Sequence, residues 1–178
     1  HGNVAANYAI QESDLIIALG TRFDDRITGD VKKYAPEAFK AYKEGRGGII
    51  HVNINEEEIM NVVNSHYNFN IPCKNFISNI TKNLHYNPNR QRWLEQIAFW
   101  KELFPFTYDK LDYKLNTQTV ISEINRQLID KKIDDYYITS GVGNHQMMAS
   151  QFIKWRYPNT FISSGSLGVM GVGLPYAI

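Results

Sequence analysis

Two glycine-rich stretches in the second half of the sequence have residue types and a spacing that could do chemistry. The first, Gly141-Val142-Gly143-Asn144-His145, lies between a predicted strand and a predicted helix. Free backbone amides and the positive end of a helix dipole favour a phosphate at such a place. The stretch has no Gly-Lys-Ser/Thr ending and no third glycine of a dinucleotide fingerprint. Taken alone, it is more typical of an ordinary strand-to-helix turn.

The second stretch, Ser164 to Pro175, alternates small residues with large flexible or branched ones. Small residues let the backbone come close to a ligand or to another loop. Met170 could support a bent apolar ligand, because its side chain adapts to irregular shapes, although an isolated Met more often fills a core.

A third candidate is the charged loop Arg22-Phe23-Asp24-Asp25-Arg26, which follows the apolar run Leu15 to Leu19. The Arg22 guanidinium can give a bidentate fork to a phosphate or a ring carbonyl. Without further information, a surface loop of ion pairs is the favoured interpretation.

The elements around these loops alternate between helix and strand. A helical stripe near Ala5 precedes the apolar run Leu15 to Leu19, which is predicted to be a strand buried on both faces. A second buried strand is predicted over Ile49 to Ile54. Asn55 with Glu58 forms a capping box that predicts a further helix, with an apolar stripe of Ile59, Val62 and Val63. This order predicts an α/β fold with a Rossmann-like, doubly wound parallel sheet, in which ligands bind beyond the carboxyl ends of the strands.

Later segments predict a connection and a second domain. Ile71 to Cys73 is predicted to be a short edge strand, followed by a helix over Asn75 to Leu84. An amphipathic helix carries Trp93, Ile97 and Trp100, whose aromatic rings are expected to dock on a neighbouring domain. The predicted limits are a first domain over 1–82, a connection over 83–116 and a second domain over 117–178. In the second domain, strands are predicted over 135–140 and 161–164, with a helix from Met147 to Trp155.

Composition excludes several classes of protein. The 178 residues are 43% hydrophobic and 21% charged, which is ordinary for a globular protein and unlike a disordered chain. Nineteen Lys and Arg balance eighteen Asp and Glu, so no basic surface indicates nucleic acid or anionic lipid as a partner. The single cysteine, Cys73, excludes an internal disulfide, and no apolar run approaches the roughly 20 residues of a membrane span. The chain starts with His1 and stops in an apolar, glycine-rich stretch, which is expected of a piece cut from a longer protein.

Taken together, these residues resemble the acetohydroxyacid synthases, a family of thiamine-diphosphate and flavin carboligases. The region from His1 through the loop Gly20 to Arg26 resembles the family's central FAD-binding domain. Gly143 to Met147 and Ser164 to Gly171 resemble the start of its thiamine-diphosphate-binding α/β domain. The resemblance covers essentially the whole chain in one register.

The resemblance implies an activity and a cofactor site. The activity is condensation of pyruvate with a second 2-ketoacid, pyruvate or 2-ketobutyrate, with loss of CO2 in branched-chain amino-acid biosynthesis. Val142, Gly143, Asn144 and His145 would lie against the diphosphate. The Gly168 carbonyl would accept a hydrogen bond from the pyrimidine amino group, and Met170 would hold the cofactor in its bent form.

The resemblance also implies FAD, Mg²⁺ and partners. The residues expected to line the flavin are His1, Gly20, Arg22, Asp24 and Asn53, and Arg26 is expected at the substrate channel. The Mg²⁺ ligands and the acidic residue that activates the thiamine cofactor would lie outside this chain, so no metal ligand is expected in it. A homodimer or higher oligomer, a regulatory subunit and a mitochondrial matrix location are implied, the last by similarity to the fungal branch.

Several positions depart from the family pattern. Asn53 replaces a usual acidic residue, and Ile71-Pro72-Cys73 replaces Gly-Asp-Ala, so that Pro72 supplies no amide donor to the adenine side. Smaller departures are Asn144, Met148, Ser166 and Tyr176. Two alternatives therefore stay open: another thiamine-diphosphate enzyme, of the pyruvate oxidase or glyoxylate carboligase type, and a non-catalytic paralogue that keeps the fold.

Overall fold

The computed structural model describes residues 2–84, 89–110 and 113–178. The chain forms two compact units, His1–Phe104 and Pro105–Ile178. The predicted domain limits at 82 and 117 remain predictions, because the compact units report packing within this chain and do not define domain families.

The first unit is built around a parallel sheet of three strands, which lie in the order Leu15–Leu19, Gly48–Val52, Tyr67–Phe69. Short 3-10 turns cover Val31–Lys33 and Glu56–Glu58. In chain order, the helices and strands of this unit are α1 Val4–Glu12, β1 Leu15–Leu19, α2 Asp25–Thr28, α3 Pro36–Lys43, β2 Gly48–Val52, β3 Tyr67–Phe69, α4 Cys73–Asn83 and α5 Gln91–Leu103.

The two faces of this sheet have different surroundings. Ile49 of β2 lies on the face that packs against α3 and belongs to the main core, together with Ala18, Phe23, Tyr34, Ala35, Ala38 and Val63. The opposite face carries Phe69, whose ring centroid lies 5.2 Å from that of Phe76 in α4. Helices on both faces confirm the predicted α/β fold with a parallel sheet.

The prediction that β1 is buried on both faces is wrong. Ala18 is buried, but Leu15, Ile17 and Leu19 on the other face are each more than 40% exposed. This face of β1 is not covered within the described unit, and β1 also forms an edge of the described sheet, where it pairs with β2. A continuous apolar run therefore does not distinguish a central strand from an edge strand with one open face.

The helix predicted after β2 is also wrong. Asn55 does act as a cap, because its side chain accepts a hydrogen bond from the Glu57 amide, but only the 3-10 turn Glu56–Glu58 follows. Met60 then has φ +60°, a left-handed backbone that ends the helical path. Val63, 2% exposed, belongs to the main core instead of a helical stripe.

The predicted strand at Ile71 to Cys73 is wrong as well. The third strand lies just before it, over Tyr67–Phe69, and Pro72 is the residue that precedes α4. Proline is well suited to a helix start because it lacks the amide that would have no partner there. The helix expected over 75–84 is confirmed as α4.

The tryptophan-rich helix predicted before Pro105 is confirmed as α5, and it packs on α1. The Trp100 ring lies 5.5 Å from that of Tyr8 and 5.8 Å from that of Trp93. The aromatic stripe is thus part of the packing of the first unit.

The second unit has a two-stranded parallel sheet. Its elements are α6 Thr117–Asp130, β4 Ile138–Ser140, α7 Asn144–Phe152, β5 Phe161–Ser163 and a 3-10 turn Pro175–Ala177. Its core is formed by Ile121, Ala149 and Ile153, with Ile138 and Phe161 packed against them. The strands are shorter than predicted, and α7 begins earlier and ends three residues before Trp155.

None of the helices in the described parts of the chain is long and apolar enough to span a membrane.

Candidate functional site

The two glycine-rich stretches lie at one edge of the second unit. Strands β4 and β5 run parallel, and Ser140 is in register with Ser163. Each stretch starts directly after its strand, so both leave the sheet at the carboxyl end. This is the edge at which α/β proteins bind their ligands.

Glycine allows the two stretches to approach each other. A Cβ atom added to Gly173 would lie 2.5 Å from the Gly141 nitrogen and 3.1 Å from the Ser140 carbonyl carbon. A Cβ on Gly168 would lie 4.0 Å from Cγ1 of Val142. The structure therefore brings Val142 and Gly168, two of the predicted thiamine-diphosphate residues, so close that a methyl group at position 168 would touch Val142.

The start of α7 offers backbone donors beside this contact. Gly143 precedes the helix with φ +145°, and its carbonyl accepts hydrogen bonds from the amides of Gln146 and Met147. The amides of Asn144 and His145 come too early in the helix to have a carbonyl partner within it. The His145 ring lies over the turn, because a Cβ on Gly143 would be 3.3 Å from its Nδ1 atom. This arrangement can hold an anionic group.

The other stretch makes a tight turn. The Gly168 amide donates to the Ser164 carbonyl at 3.2 Å, and the Val169 amide donates to Ser164 Oγ at 3.0 Å. Gly168 has φ +62°, which favours glycine. Met170 follows with 76% of its surface exposed, so it does not fill a core in the described unit. An exposed Met at a turn is available to an apolar ligand.

One buried polar atom at this edge lacks a partner. The Ser140 side chain is 7% exposed, and its Oγ atom has no hydrogen-bond partner among the described residues. Ser140 did not enter the predicted site. Its position at the last residue of a strand, just before Gly141, is the signal that could have found it.

The charged loop of the first unit also follows a strand. The Gly20 amide donates to the Val52 carbonyl at 2.8 Å, and Gly20 has φ +66°. Asp24 caps α2, because its Oδ1 atom accepts from the amides of Arg26 and Ile27. Arg22 lies 3.5 Å from the Asp24 carboxylate, and its side chain is 48% exposed. The Arg22 guanidinium therefore remains accessible to an anion.

Asn53 is buried behind this loop and is already hydrogen-bonded. Its Nδ2 atom donates to the Thr21 carbonyl at 3.0 Å, and its Oδ1 atom accepts from the Asn55 amide at 2.9 Å. His51 donates through Nε2 to the same Thr21 carbonyl at 2.8 Å. His51 is not among the site residues predicted from the sequence. The signal was a single polar side chain within the strand Gly48–Val52, where its neighbours in sequence are apolar.

Arg26 lies on the outside of α2. Its guanidinium is 3.7 Å from the Asp25 carboxylate, and both side chains are mostly exposed. It borders a cavity of about 280 Å³, which is also lined by Asn7, Ile10, Gln11, Ile27 and Tyr34. Burial raises the pKa of Tyr34 above its ordinary value, so this phenol stays neutral. The predicted flavin residue His1 lies outside the described residues.

A metal site is not visible in the described parts of the chain, where no three His, Cys, Asp or Glu side chains cluster closely enough to hold an ion. The candidate functional residues of the second unit are backbone amides and glycines, and those of the first unit are separate and belong to the arginine-bearing loop.

Two thiamine pyrophosphate enzyme families match the chain. Residues 1–80 match the family "Thiamine pyrophosphate enzyme, central domain", and residues 141–178 match the family "Thiamine pyrophosphate enzyme, C-terminal TPP binding domain". The second match covers both glycine-rich stretches.

Similar proteins extend the match over the whole chain. The chain is 45% identical to "Acetolactate synthase, mitochondrial" of Schizosaccharomyces pombe, with 100% of the chain and 27% of that protein covered. It is 42% identical to "Acetolactate synthase catalytic subunit, mitochondrial" of Saccharomyces cerevisiae, with 100% and 26% covered. It is 34% identical to "Acetolactate synthase isozyme 2 large subunit" of Escherichia coli, with 100% and 29% covered. The chain thus spans about a quarter of the length of these relatives. It is a homologue of the acetolactate synthase catalytic subunits, with parts that match the central and the C-terminal domains of thiamine pyrophosphate enzymes.

Proposed function

We propose that this chain is part of a thiamine-diphosphate-dependent acetolactate synthase, which condenses pyruvate with pyruvate or 2-ketobutyrate and releases CO2. The observation that carries the proposal is the pair of glycine-rich stretches that meet at the carboxyl ends of β4 and β5. The two stretches lie within the region that matches a TPP binding domain. Whole-chain identity to acetolactate synthases supports this activity over that of other thiamine-diphosphate enzymes.

The residues present fit the cofactor. The amides of Gly143, Asn144 and His145 would donate to the diphosphate, since those of Asn144 and His145 have no carbonyl partner within α7. A side chain at Gly168 would approach Val142, so the glycine keeps space between the two turns for the pyrimidine. Met170 is exposed at the same edge and would support the bend of the cofactor. When bound, thiamine diphosphate would supply the electron sink for decarboxylation, and the chain orients it.

FAD is proposed as the ligand of the charged loop in the first unit. Arg22 is accessible and Gly20 has the left-handed backbone of a tight turn, which suits close approach of a ligand. Asp24 and His1 complete the proposed set. Asn53 would contribute at most one N–H of Nδ2 and one lone pair of Oδ1, because each of these atoms already makes one hydrogen bond to the protein. Arg26, with its exposed guanidinium, is proposed to attract the carboxylate of the incoming ketoacid.

The wider assignments are proposals from similarity. Mg²⁺ would be held by residues outside this chain. Relatives that are named mitochondrial support the proposal of a mitochondrial location, here the matrix, and relatives named catalytic or large subunits support the proposal of a regulatory partner. A homodimer or higher oligomer and the domain limits 1–82, 83–116 and 117–178 complete the proposal, with neither nucleic acid nor membrane as a partner.

Product analysis of the full-length protein tests this function. With thiamine diphosphate, Mg²⁺, FAD and pyruvate, we expect acetolactate. Acetyl phosphate or tartronate semialdehyde would instead identify another thiamine-diphosphate enzyme. Absence of any product together with absence of heat on titration with thiamine diphosphate would identify the non-catalytic paralogue, which Asn53 and Pro72 favour.

A matched pair of variants tests the site itself. Met170 and Leu167 lie on the same turn, and both are more than 70% exposed. Met170→Ala is expected to lower kcat by about tenfold or more, because the support of the bent cofactor is lost. Leu167→Ala is the control and is expected to change kcat by less than about threefold. Equal effects would contradict the role of Met170.

A further inference from the structure

The deepest polar contact of the first unit joins β2 to the charged loop. His51 is fully buried, and its Nε2 atom lies 2.8 Å from the Thr21 carbonyl oxygen. Because a carbonyl only accepts, Nε2 carries the hydrogen of this bond. Nδ1 is buried and has no partner among the described residues. His51 is therefore held to the loop through Nε2 alone.

The Thr21 carbonyl receives a second donor from Asn53, at 3.0 Å. Two donors occupy both lone pairs of this oxygen and fix the plane of the peptide between Thr21 and Arg22. That plane sets the direction of the backbone at Arg22, in the loop that follows β1. A shift of the loop would therefore move the guanidinium.

Phe23 ties the next residue to the same histidine. It has φ +52°, which is uncommon for a residue with a bulky side chain. Its ring is 2% exposed and lies 4.9 Å from the His51 ring and 5.8 Å from the Tyr34 ring, in edge-on contacts. The Phe23 amide also donates to Thr21 Oγ1 at 3.2 Å. This packing holds a backbone that would otherwise relax.

We propose that His51 is a positioning residue that acts through the Thr21 carbonyl to aim Arg22, with Asp24 beside its guanidinium, at an anionic part of the bound flavin. The inference rests on the proposed FAD site for its ligand. The arrangement of the loop itself rests only on the contacts described above. His51 touches no ligand in this scheme, since it is fully buried behind the loop.

Two substitutions separate the hydrogen bond from the packing. His51→Phe keeps an aromatic ring against Phe23 and removes the unpaired Nδ1, but it removes the donor. His51→Gln loses the ring and keeps an N–H donor of similar reach to Nε2. A positioning role predicts that ligand binding follows the donor, whereas a merely structural role predicts that it follows the packing.

The experiment measures flavin binding and loop exchange in the full-length protein. We expect H51F to raise the FAD dissociation constant by about tenfold, measured by quenching of flavin fluorescence, and H51Q to stay within about threefold of the wild type. Amide hydrogen exchange of residues 20–28 is expected to accelerate in H51F and to stay slow in H51Q. Unfolding temperatures, recorded in parallel, are expected to be no lower for H51F than for H51Q.

The outcomes separate this inference from the proposed function. If H51F binds flavin and protects the loop as well as or better than H51Q, the positioning role is overturned. If the wild type binds no flavin and the loop still loses protection only in H51F, the FAD site is wrong and the hold of His51 on the loop stands. If neither variant changes exchange in the loop, the inference fails whatever the flavin result.

Discussion

The two candidate ligand-binding regions are held in place by different means. In the first unit, His51 lies on β2 and Asn53 lies just after it. Both side chains donate to the backbone of the loop that follows β1. In the second unit, the turns after β4 and β5 approach through glycine backbones, at Gly141 and Gly173. The first arrangement depends on particular side-chain donors, and the second depends on the absence of a side chain. Substitutions should therefore act in opposite senses: removing a group damages the first unit, and adding one damages the second.

The largest effect is expected from Gly173→Ala. Its Cβ would lie 2.5 Å from the Gly141 nitrogen, an atom of the backbone that cannot move aside alone. Overpacking of this kind costs about 3 kcal/mol or more when backbone must shift. We expect a lower unfolding temperature of the full-length protein and loss of heat on titration with thiamine diphosphate.

Gly165→Ala is the matched control for Gly173→Ala. Neither glycine has a positive φ, and a Cβ at Gly165 would meet nothing within 4 Å. The unfolding temperature is therefore expected to stay close to that of the wild type. Equal destabilisation by both substitutions would show that glycine flexibility, and not the close approach, is what matters.

The counterpart in the first unit is His66→Phe. The Ile49 amide donates to His66 Nδ1 at 2.9 Å, and the imidazole stacks on Tyr42 at 4.0 Å. Phenylalanine keeps the stacking and removes the acceptor, so the buried amide loses its partner. We expect a loss of about 2 kcal/mol in the free energy of unfolding, measured with denaturant. An unchanged free energy would mean that the side-chain bond does not hold this unit.

The same histidine predicts a pH dependence. Burial lowers the pKa of His66 below its ordinary value of 6.5, and the Ile49 amide occupies the nitrogen that would take the proton. The unfolded chain therefore binds a proton at His66 more readily than the folded chain. The contribution of His66 to the free energy of unfolding is thus complete above about pH 6.5 and declines as the pH falls below it. Stability curves at several pH values should show this decline in the wild type and a weaker one in H66F. Parallel curves would contradict the assignment.

The smallest effect is expected from Asn70, whose side chain also bonds to backbone atoms but is exposed to solvent. Asn70 Nδ2 donates to the carbonyls of Asn53 and Ile54, each at 3.0 Å. Because Asn70 is itself exposed, water can form hydrogen bonds with the two carbonyls once Asn70→Ala has removed the side-chain amide. We expect a loss of about 0.5–1 kcal/mol in the free energy of unfolding, less than that of H66F. If Asn70→Ala lowered the free energy of unfolding more than H66F, the expectation that buried hydrogen bonds contribute more than exposed ones would be contradicted.

Much of the secondary structure could be predicted from local patterns. The stripe of Trp93, Ile97 and Trp100 predicts α5, and the apolar run Leu15 to Leu19 predicts β1, because periodicity and strand length are local properties. The helix predicted after Asn55 does not form, which shows that local patterns alone do not determine the structure of this segment. Its capping box is present in part, but Met60 takes a left-handed backbone and Val63 enters a core formed by residues from distant elements.

The candidate site divides in the same way. The spacing around Gly143 predicts a place for an anion and the spacing around Gly168 predicts close approach of the backbone, because both properties belong to the local backbone. The contact between Gly141 and Gly173 joins residues 32 positions apart, and the bond between His51 and Thr21 joins residues 30 positions apart. Such contacts depend on strand register, which single-sequence patterns do not fix.

The open apolar row of β1 bears on how this chain behaves when it is produced by itself. Leu15, Ile17 and Leu19 line an edge strand whose outer backbone groups can accept another strand. Purified material is therefore expected to precipitate as its concentration rises. Ile17→Lys, which leaves the packed face of the strand untouched, should extend the usable concentration range for crystallisation.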